Sequence, residues 1–167
     1  MARPIGVGDA MTNKAASLLA LCRRRGLKLA TAESCTGGLI IGCLTEIAGS
    51  SDVVDRGFIT YSNAAKTEMI GVPAELIVRH GAVSEQVARA MAEGALAHSN
   101  ADVAIAVTGI AGPGGATPGK PVGLVHVACA RRGGVTQHVR HVFPGDRAAV
   151  RFATVECALD LVHLAVE

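Results

Sequence analysis

A chain of 167 residues with a net charge of +2 suits one domain with a sizeable core. Half its residues are hydrophobic and 18% are charged, which argues against disorder and gives no mandate for nucleic acid or an acidic membrane. Only 2% are aromatic, with no Trp and one tyrosine, Tyr61, so the core is aliphatic and a base-stacking surface is disfavoured.

Residues 1–8 read as a loose tail. Asp9 or Thr12 is placed to cap a helix that runs to Arg25 and stops at Gly26, with Ala16, Leu19, Ala20 and Cys22 among its inward candidates. Alternating apolar residues from Leu27 to Thr31 predict a strand. The turn Glu33-Ser34-Cys35-Thr36-Gly37-Gly38 follows, then an apolar helix from Leu39 to about Ile47. Val53 to Tyr61 reads as a second strand, and Ser62 or Asn63 caps a short helix that breaks at Gly71-Val72-Pro73. Ala74 to His80 forms another short helix, ended by Gly81.

Ser84 opens a clearer helix to about Ser99, with Val87, Ala88, Met91, Ala95 and Leu96 on one stripe. The continuous apolar run Ala101 to Val107 is the mark of a strand buried on both faces. It empties into the glycine-rich loop "TGIAGPGG", Thr108 to Gly115. Val122–Ala130 and Val135–Phe143 form a hairpin, and a helix runs from Arg147 to about Val166. Helices and strands alternate, with a hairpin late in the chain. That order predicts a single three-layer α/β/α domain with a mixed sheet.

The five cysteines are odd in number and lack CxxC spacing, against a zinc knuckle or disulfide framework. The basic run Arg23-Arg24-Arg25 follows the first apolar stretch where a signal peptide would have it precede, and no apolar run is long enough to span a bilayer. The expectation is a cytoplasmic protein with no membrane contact. His138 and His141 are three apart on a strand and face opposite sides, and the other histidines lack ligand spacing, so no metal site is expected.

Ser34, between strand and helix, is placed either as a helix cap or as a hydroxyl pointing outward beside unused amides. Adjacent Cys35 is the better intrinsic nucleophile, with a thiol pKa that a helix start would lower, or else a small buried hydrophobe. Neighbours on an extended segment point opposite ways, so one of the two faces a pocket. Lys66 is either a solvated surface residue or folded back over the small residues Ser62 to Ala65. In a dry pocket its pKa falls and it can take a proton from a serine, with Tyr61 relaying that proton or orienting it.

The loop after Val107 sits where open α/β sheets bind ligands. Its glycines do not spell the dinucleotide fingerprint. The stretch "GGATPGKP", Gly114 to Pro121, fails as a phosphate loop because Pro121 replaces the magnesium-binding hydroxyl. Arg147 and Arg151, near the start of the last helix, suit a phosphate or carboxylate, or a surface pair with Asp146.

Taken together, "TAESCTGG", "GFITYSNAAKTEMIGV", "HGAVSEQVA", "TGIAGPGG", "KPVGLV" and "FPGDRAAVR" closely resemble the CinA C-terminal domain family, in order from about Leu18 onward. The resemblance implies nicotinamide-nucleotide amidohydrolase activity, converting nicotinamide mononucleotide and water to nicotinate mononucleotide and ammonia. It implies Ser34 as nucleophile, Tyr61 and Lys66 as its partners, and Thr108 and Arg147 in the substrate pocket. Backbone amides of the Thr36-Gly37 turn or the Thr108-Gly109 loop are candidates for the oxyanion. No cofactor is expected; the partners expected are a small nucleotide substrate and a second copy of the chain, a dimer being favoured. The longer CinA proteins carry an N-terminal molybdopterin-binding-like domain, whose activity is not carried over. The rivals are hydrolysis of another small amide and a non-catalytic nucleotide-binding module with a regulatory role in competence or DNA damage.

Overall fold

The computed structural model describes residues 8–167. The tail expected over residues 1–8 lies, but for Gly8, outside the described residues. In chain order the elements are α1 (Asp9–Arg25), β1 (Leu29–Glu33), α2 (Leu39–Thr45), β2 (Val54–Ile59), α3 (Asn63–Ile70), α4 (Ala74–His80), α5 (Glu85–Ala97), β3 (Val103–Gly109), β4 (Leu124–Arg131), β5 (Gln137–Val142) and α6 (Arg147–Val166). The five strands form one sheet in the order β2-β1-β3-β4-β5. β1 is parallel to both β2 and β3, and β4 and β5 are antiparallel additions. The mixed three-layer architecture follows the expected one.

The sheet's two faces are built differently. One presents Leu29, Val103, Ile105, Val107, Val125 and Val127 to α1, α2 and α6. The other presents Ala30, Ala32, Ala104, Ala106, Ala128 and Ala130 to α3, α4 and α5. Alternation along each strand sorts the two sets, and small side chains let α5 lie close to the sheet. α5 also approaches α3 closely: a Cβ on Gly94 would stand 2.0 Å from the Ile70 carbonyl oxygen, so only glycine fits.

Two details of α1 correct the sequence expectation. Its N-cap is Gly8, and Asp9 lies in the first turn without capping. Its buried stripe is Ala15, Leu18, Leu19 and Cys22, while Ala16 and Ala20 are only half-buried. The alanine-rich segment offers several near-equivalent stripes, and packing against α6 selects the one carrying two leucines. β1 starts two residues later than expected and continues through Glu33, because its register follows β3 from Leu29↔Val103 to Glu33↔Val107. The stripe on α5 is Val87, Ala88, Met91, Ala92 and Ala95, with Leu96 half-buried at its margin.

The strand order positions the site. From β1 the chain crosses to β2 on one side and later returns to β3 on the other. Connections therefore diverge at the carboxyl end of β1 and leave a crevice there, where open α/β sheets take their ligands.

Candidate active site

Three strand ends meet at that crevice. Ser34 follows β1, Thr60 and Tyr61 follow β2, and Thr108 and Gly109 close β3. Ser34 continues the alternation of Ala30 and Ala32, so its hydroxyl emerges above the alanine face, where the layer of small side chains leaves room. Apart from the fully buried Thr60, these strand-end residues line an open cleft of about 210 Å³ together with Asn63, Lys66, Ala82, Val83, Ala111 and Arg147. A larger groove of about 370 Å³ lies elsewhere, between β5 and α6. Val139, Phe143, Leu161 and Leu164 dominate it, and it holds no hydroxyl beside a base.

Lys66 is the pivot of the cleft. Ser62 caps α3 by accepting from the Ala65 amide at 3.0 Å, which places Lys66 on the first turn facing the sheet. The side chain folds back and is 1% exposed. Its Nζ lies 3.1 Å from Ser34 Oγ and donates to the carbonyl oxygens of Thr60 at 2.9 Å and Tyr61 at 3.4 Å. Burial pushes the amine's pKa down from the ordinary lysine value, with no carboxylate partner to hold it up. A neutral amine has two N–H groups for the two carbonyls and one lone pair for the serine hydroxyl.

Cys35 takes the other direction. It belongs to the core packed under α1, α2 and α6, and burial pushes its thiol up to about 11. The lowering expected of a helix start is outweighed by desolvation. Of the two neighbours, Ser34 is the one in contact with the lysine.

Tyr61 is 63% exposed, and its side chain does not reach Ser34 or Lys66 within hydrogen-bond distance; its contribution to Lys66 is the backbone carbonyl. The phenol oxygen instead accepts from Arg147 Nη2 at 3.2 Å, and Arg147 Nη1 donates to the Gly112 carbonyl at 2.8 Å. Asp146 caps α6 through the Ala149 amide at 2.9 Å and makes no pair with Arg147, whose guanidinium stands over the cleft mouth. Thr108 is buried and donates to the Ala82 carbonyl at 2.8 Å.

Thr36 and Gly37 do not line the cleft. The Thr36 hydroxyl turns inward to Glu33 at 2.6 Å, and the Gly37 amide is spent on the Ser34 carbonyl at 3.0 Å. The Ser34 amide donates to Val107 at 3.2 Å. Among the described residues, the Cys35 and Thr36 amides have no hydrogen-bond acceptor outside their own residue, and Cys35 is part of the cleft wall. Arg151 departs from its anion-binding expectation as well: its guanidinium is committed to the carbonyls of Cys35 and Thr36, each at 3.0 Å. Asn63, Ala82, Val83 and Ala111 were not singled out as cleft residues from sequence. They carry no reactive group, and only the fold brings them together.

The sequence pattern of the CinA C-terminal domain family matches residues 11–166. The chain belongs to that family. A CinA-like protein of Akkermansia muciniphila is 55% identical over 136 residues, 81% of this chain and 33% of that protein. One of Mycolicibacterium vanbaalenii is 50% identical over 159 residues, 95% of this chain and 36% of that protein. The chain thus spans about a third of the length of these CinA-like relatives. The crystal structure of the competence/damage inducible protein CihA from Agrobacterium tumefaciens superposes with a TM-score of 0.93 at 50% identity, covering 98% of this chain and 99% of that one. A CinA superfamily protein from Escherichia coli superposes at 0.89 with 34% identity, covering 97% and 95%.

Proposed function

We propose that this CinA-family chain is a serine-type amidohydrolase that deamidates nicotinamide mononucleotide to nicotinate mononucleotide and ammonia. The observation that carries the reading is the contact between Ser34 Oγ and a buried, pKa-depressed Lys66 at 3.1 Å in an open cleft. A hydroxyl is a weak nucleophile until a neighbouring base accepts its proton.

Ser34 Oγ attacks the carboxamide carbon as its proton passes to Lys66 Nζ, and the carbonyl electron pair moves onto oxygen. The Cys35 amide, following the nucleophile and uncommitted elsewhere, is the donor for that oxyanion; one such donor is worth about 2.7–4 kcal/mol of barrier. Collapse expels ammonia, which leaves with the proton held by Lys66. Water then attacks the acyl-Ser34 ester as Lys66 takes its proton, and the ester bond breaks as Lys66 passes that proton to Ser34 Oγ; the released acid gives its own proton to solvent and leaves as the carboxylate.

The cleft suits the pyridine carboxamide, with the ribose phosphate towards the mouth and Arg147, which has guanidinium donors beyond those held by Gly112 and Tyr61. Thr108 and Gly109 form the wall opposite Lys66. Tyr61 orients Arg147 through its phenol and Lys66 through its carbonyl; of the two parts expected from sequence, relaying the proton or orienting the lysine, this reading gives it the second.

The test is ammonia release from nicotinamide mononucleotide by the wild type and by Ser34→Ala. Release by the wild type and a loss of at least about 10⁴-fold in the folded mutant are expected. Near-normal turnover by the mutant would sink the mechanism, and binding of the mononucleotide without ammonia release by the wild type would favour a non-catalytic module.

A further inference from the structure

The residue before Ser34 is a buried carboxylate that the chemistry above does not use. Glu33 is 0% exposed, at the end of a fully buried strand. Its side chain points away from the cleft, towards α2. Oε1 accepts from the Thr36 hydroxyl at 2.6 Å and the Ile40 amide at 2.9 Å; Oε2 accepts from the Thr31 hydroxyl at 3.1 Å and the Ile41 amide at 3.0 Å. A buried carboxylate is expensive unless its lone pairs are filled, and here both oxygens are doubly engaged. The four donors lie on β1, on the turn and on the first residues of α2, whose own N-cap, Gly38, has no side chain to offer.

Arg151 reaches the same turn from α6. Its Nε and Nη2 hold the carbonyls of Cys35 and Thr36, each at 3.0 Å. Ser34 therefore sits in a five-residue turn whose two ends are tied together by one carboxylate and whose middle is held by one guanidinium. Among the described residues, no other side chain hydrogen-bonds both to the end of β1 and to the start of α2.

We propose that Glu33 and Arg151 are positioning residues that clamp the Ser34 turn, fixing the serine hydroxyl against Lys66 and holding the Cys35 backbone at the cleft wall. The clamp rests on the amidohydrolase reading for its catalytic consequence, but not for its mechanical one. Displacement of a reacting group by about 1 Å costs on the order of 10²-fold in rate, so a loosened turn lowers kcat while leaving the nucleotide contacts in place.

Glu33→Gln is the sharpest variant. Each carboxylate oxygen faces a backbone N–H, so either orientation of the amide sets an NH2 against a donor. Arg151→Lys keeps the charge but not the fork, and perturbs only one arm of the clamp. Steady-state turnover of nicotinamide mononucleotide and amide hydrogen exchange of residues 34–41 are measured on both variants and the wild type. The expected result is a kcat at least about 30-fold lower with KM within about threefold, and at least about tenfold faster exchange at Ile40 and Ile41, while β4 amides keep wild-type protection. Arg151→Lys shows the same pattern, smaller.

Unchanged kcat with unchanged exchange in the turn would overturn the clamp. A fall in kcat accompanied by lost protection throughout the sheet in both variants would overturn it in favour of a purely structural role. Should the wild type release no ammonia, the amidohydrolase reading fails, and the exchange result alone upholds or rejects the clamp.

Discussion

The two loops that wall the cleft are opposites. The turn after β1 is short, largely buried and tied: Ser34 and Gly37 spend their amides inside the protein, Glu33 binds both ends and Arg151 holds the middle. The loop after β3 is long, and from Pro113 to Gly119 it is exposed. It is held at intervals, by Arg147 on Gly112, by a two-way backbone bridge between Thr117 and Lys120, and by Lys120 Nζ on the His80 carbonyl at 2.6 Å. On the proposed amidohydrolase reading, the reacting hydroxyl lies on the tied wall and the loose one faces the substrate. Precision is needed where bonds change, and adaptability where a ligand is admitted.

The largest effect falls on the tied side. Lys66→Met removes the base and leaves the Thr60 and Tyr61 carbonyls without their donor, and kcat for ammonia release falls by about 10²–10⁴-fold. A loss under tenfold would move the base elsewhere. On the same reading Lys66 must be neutral to accept the proton, so a pH profile of the wild type is expected to show kcat/KM dropping as pH falls below its depressed pKa.

Arg147→Ala acts on the loose side. Loss of a charge-assisted contact worth about 1.5–3 kcal/mol raises KM by roughly 10–100-fold, with kcat within a few-fold. An unchanged KM would remove Arg147 from the phosphate.

A pair of glycines contrasts the walls directly. Gly38, at φ +104°, would place a Cβ 3.1 Å from Ile59 Cδ1, and Gly38→Ala costs about 1–3 kcal/mol of stability by urea unfolding, with reduced turnover. Gly114 has open space around it, and Gly114→Ala stays within about 0.5 kcal/mol of the wild type and keeps its activity. Equal effects would erase the contrast.

Beneath the loose wall, His126 pairs with Thr108 across β3 and β4, and its Nδ1 lies 2.8 Å from His138 Nε2. Burial, followed by His138, Arg140 and Lys120, pushes its pKa down to about 4, against the opposing pull of Glu85. The unfolded chain takes up this proton near pH 6.5 and the folded one only near 4. Stability therefore falls as pH drops through that window. The difference between wild type and His126→Asn in urea midpoint, measured at pH 7 and pH 4.5, reads this contribution. A pH-independent difference would refute it.

The tied wall was the more legible in sequence. A strand, a serine in a glycine-bearing turn and an apolar helix are local signals, and Lys66 five residues after Tyr61 was readable because Ser62 to Ala65 are small. The 2-1-3 strand order was not readable, since it depends on which edges β2 and β3 choose. Glu33 passed as part of a motif although a signal was present: an acid ending the strand "LATA", before a helix whose cap is glycine. For Arg151 the sequence offers an anion ligand or a surface pair with Asp146, because nothing local reveals that α6 lies against the turn. Thr36 and Gly37 were placed in the pocket because the turn's internal hydrogen bonds, which use up the Thr36 hydroxyl and the Gly37 amide, appear only in three dimensions. No helix among the described residues is long and apolar enough to cross a membrane.

On the amidohydrolase reading Ser34, not its neighbour, carries the acyl group. Mixing the protein with nicotinamide mononucleotide, quenching in acid within the first turnovers and mapping peptides by mass spectrometry tests it directly. A nicotinate-nucleotide adduct on Ser34 is the predicted result. An adduct on Cys35, or steady ammonia release with no adduct at any time point and undiminished turnover in Ser34→Ala, would contradict it.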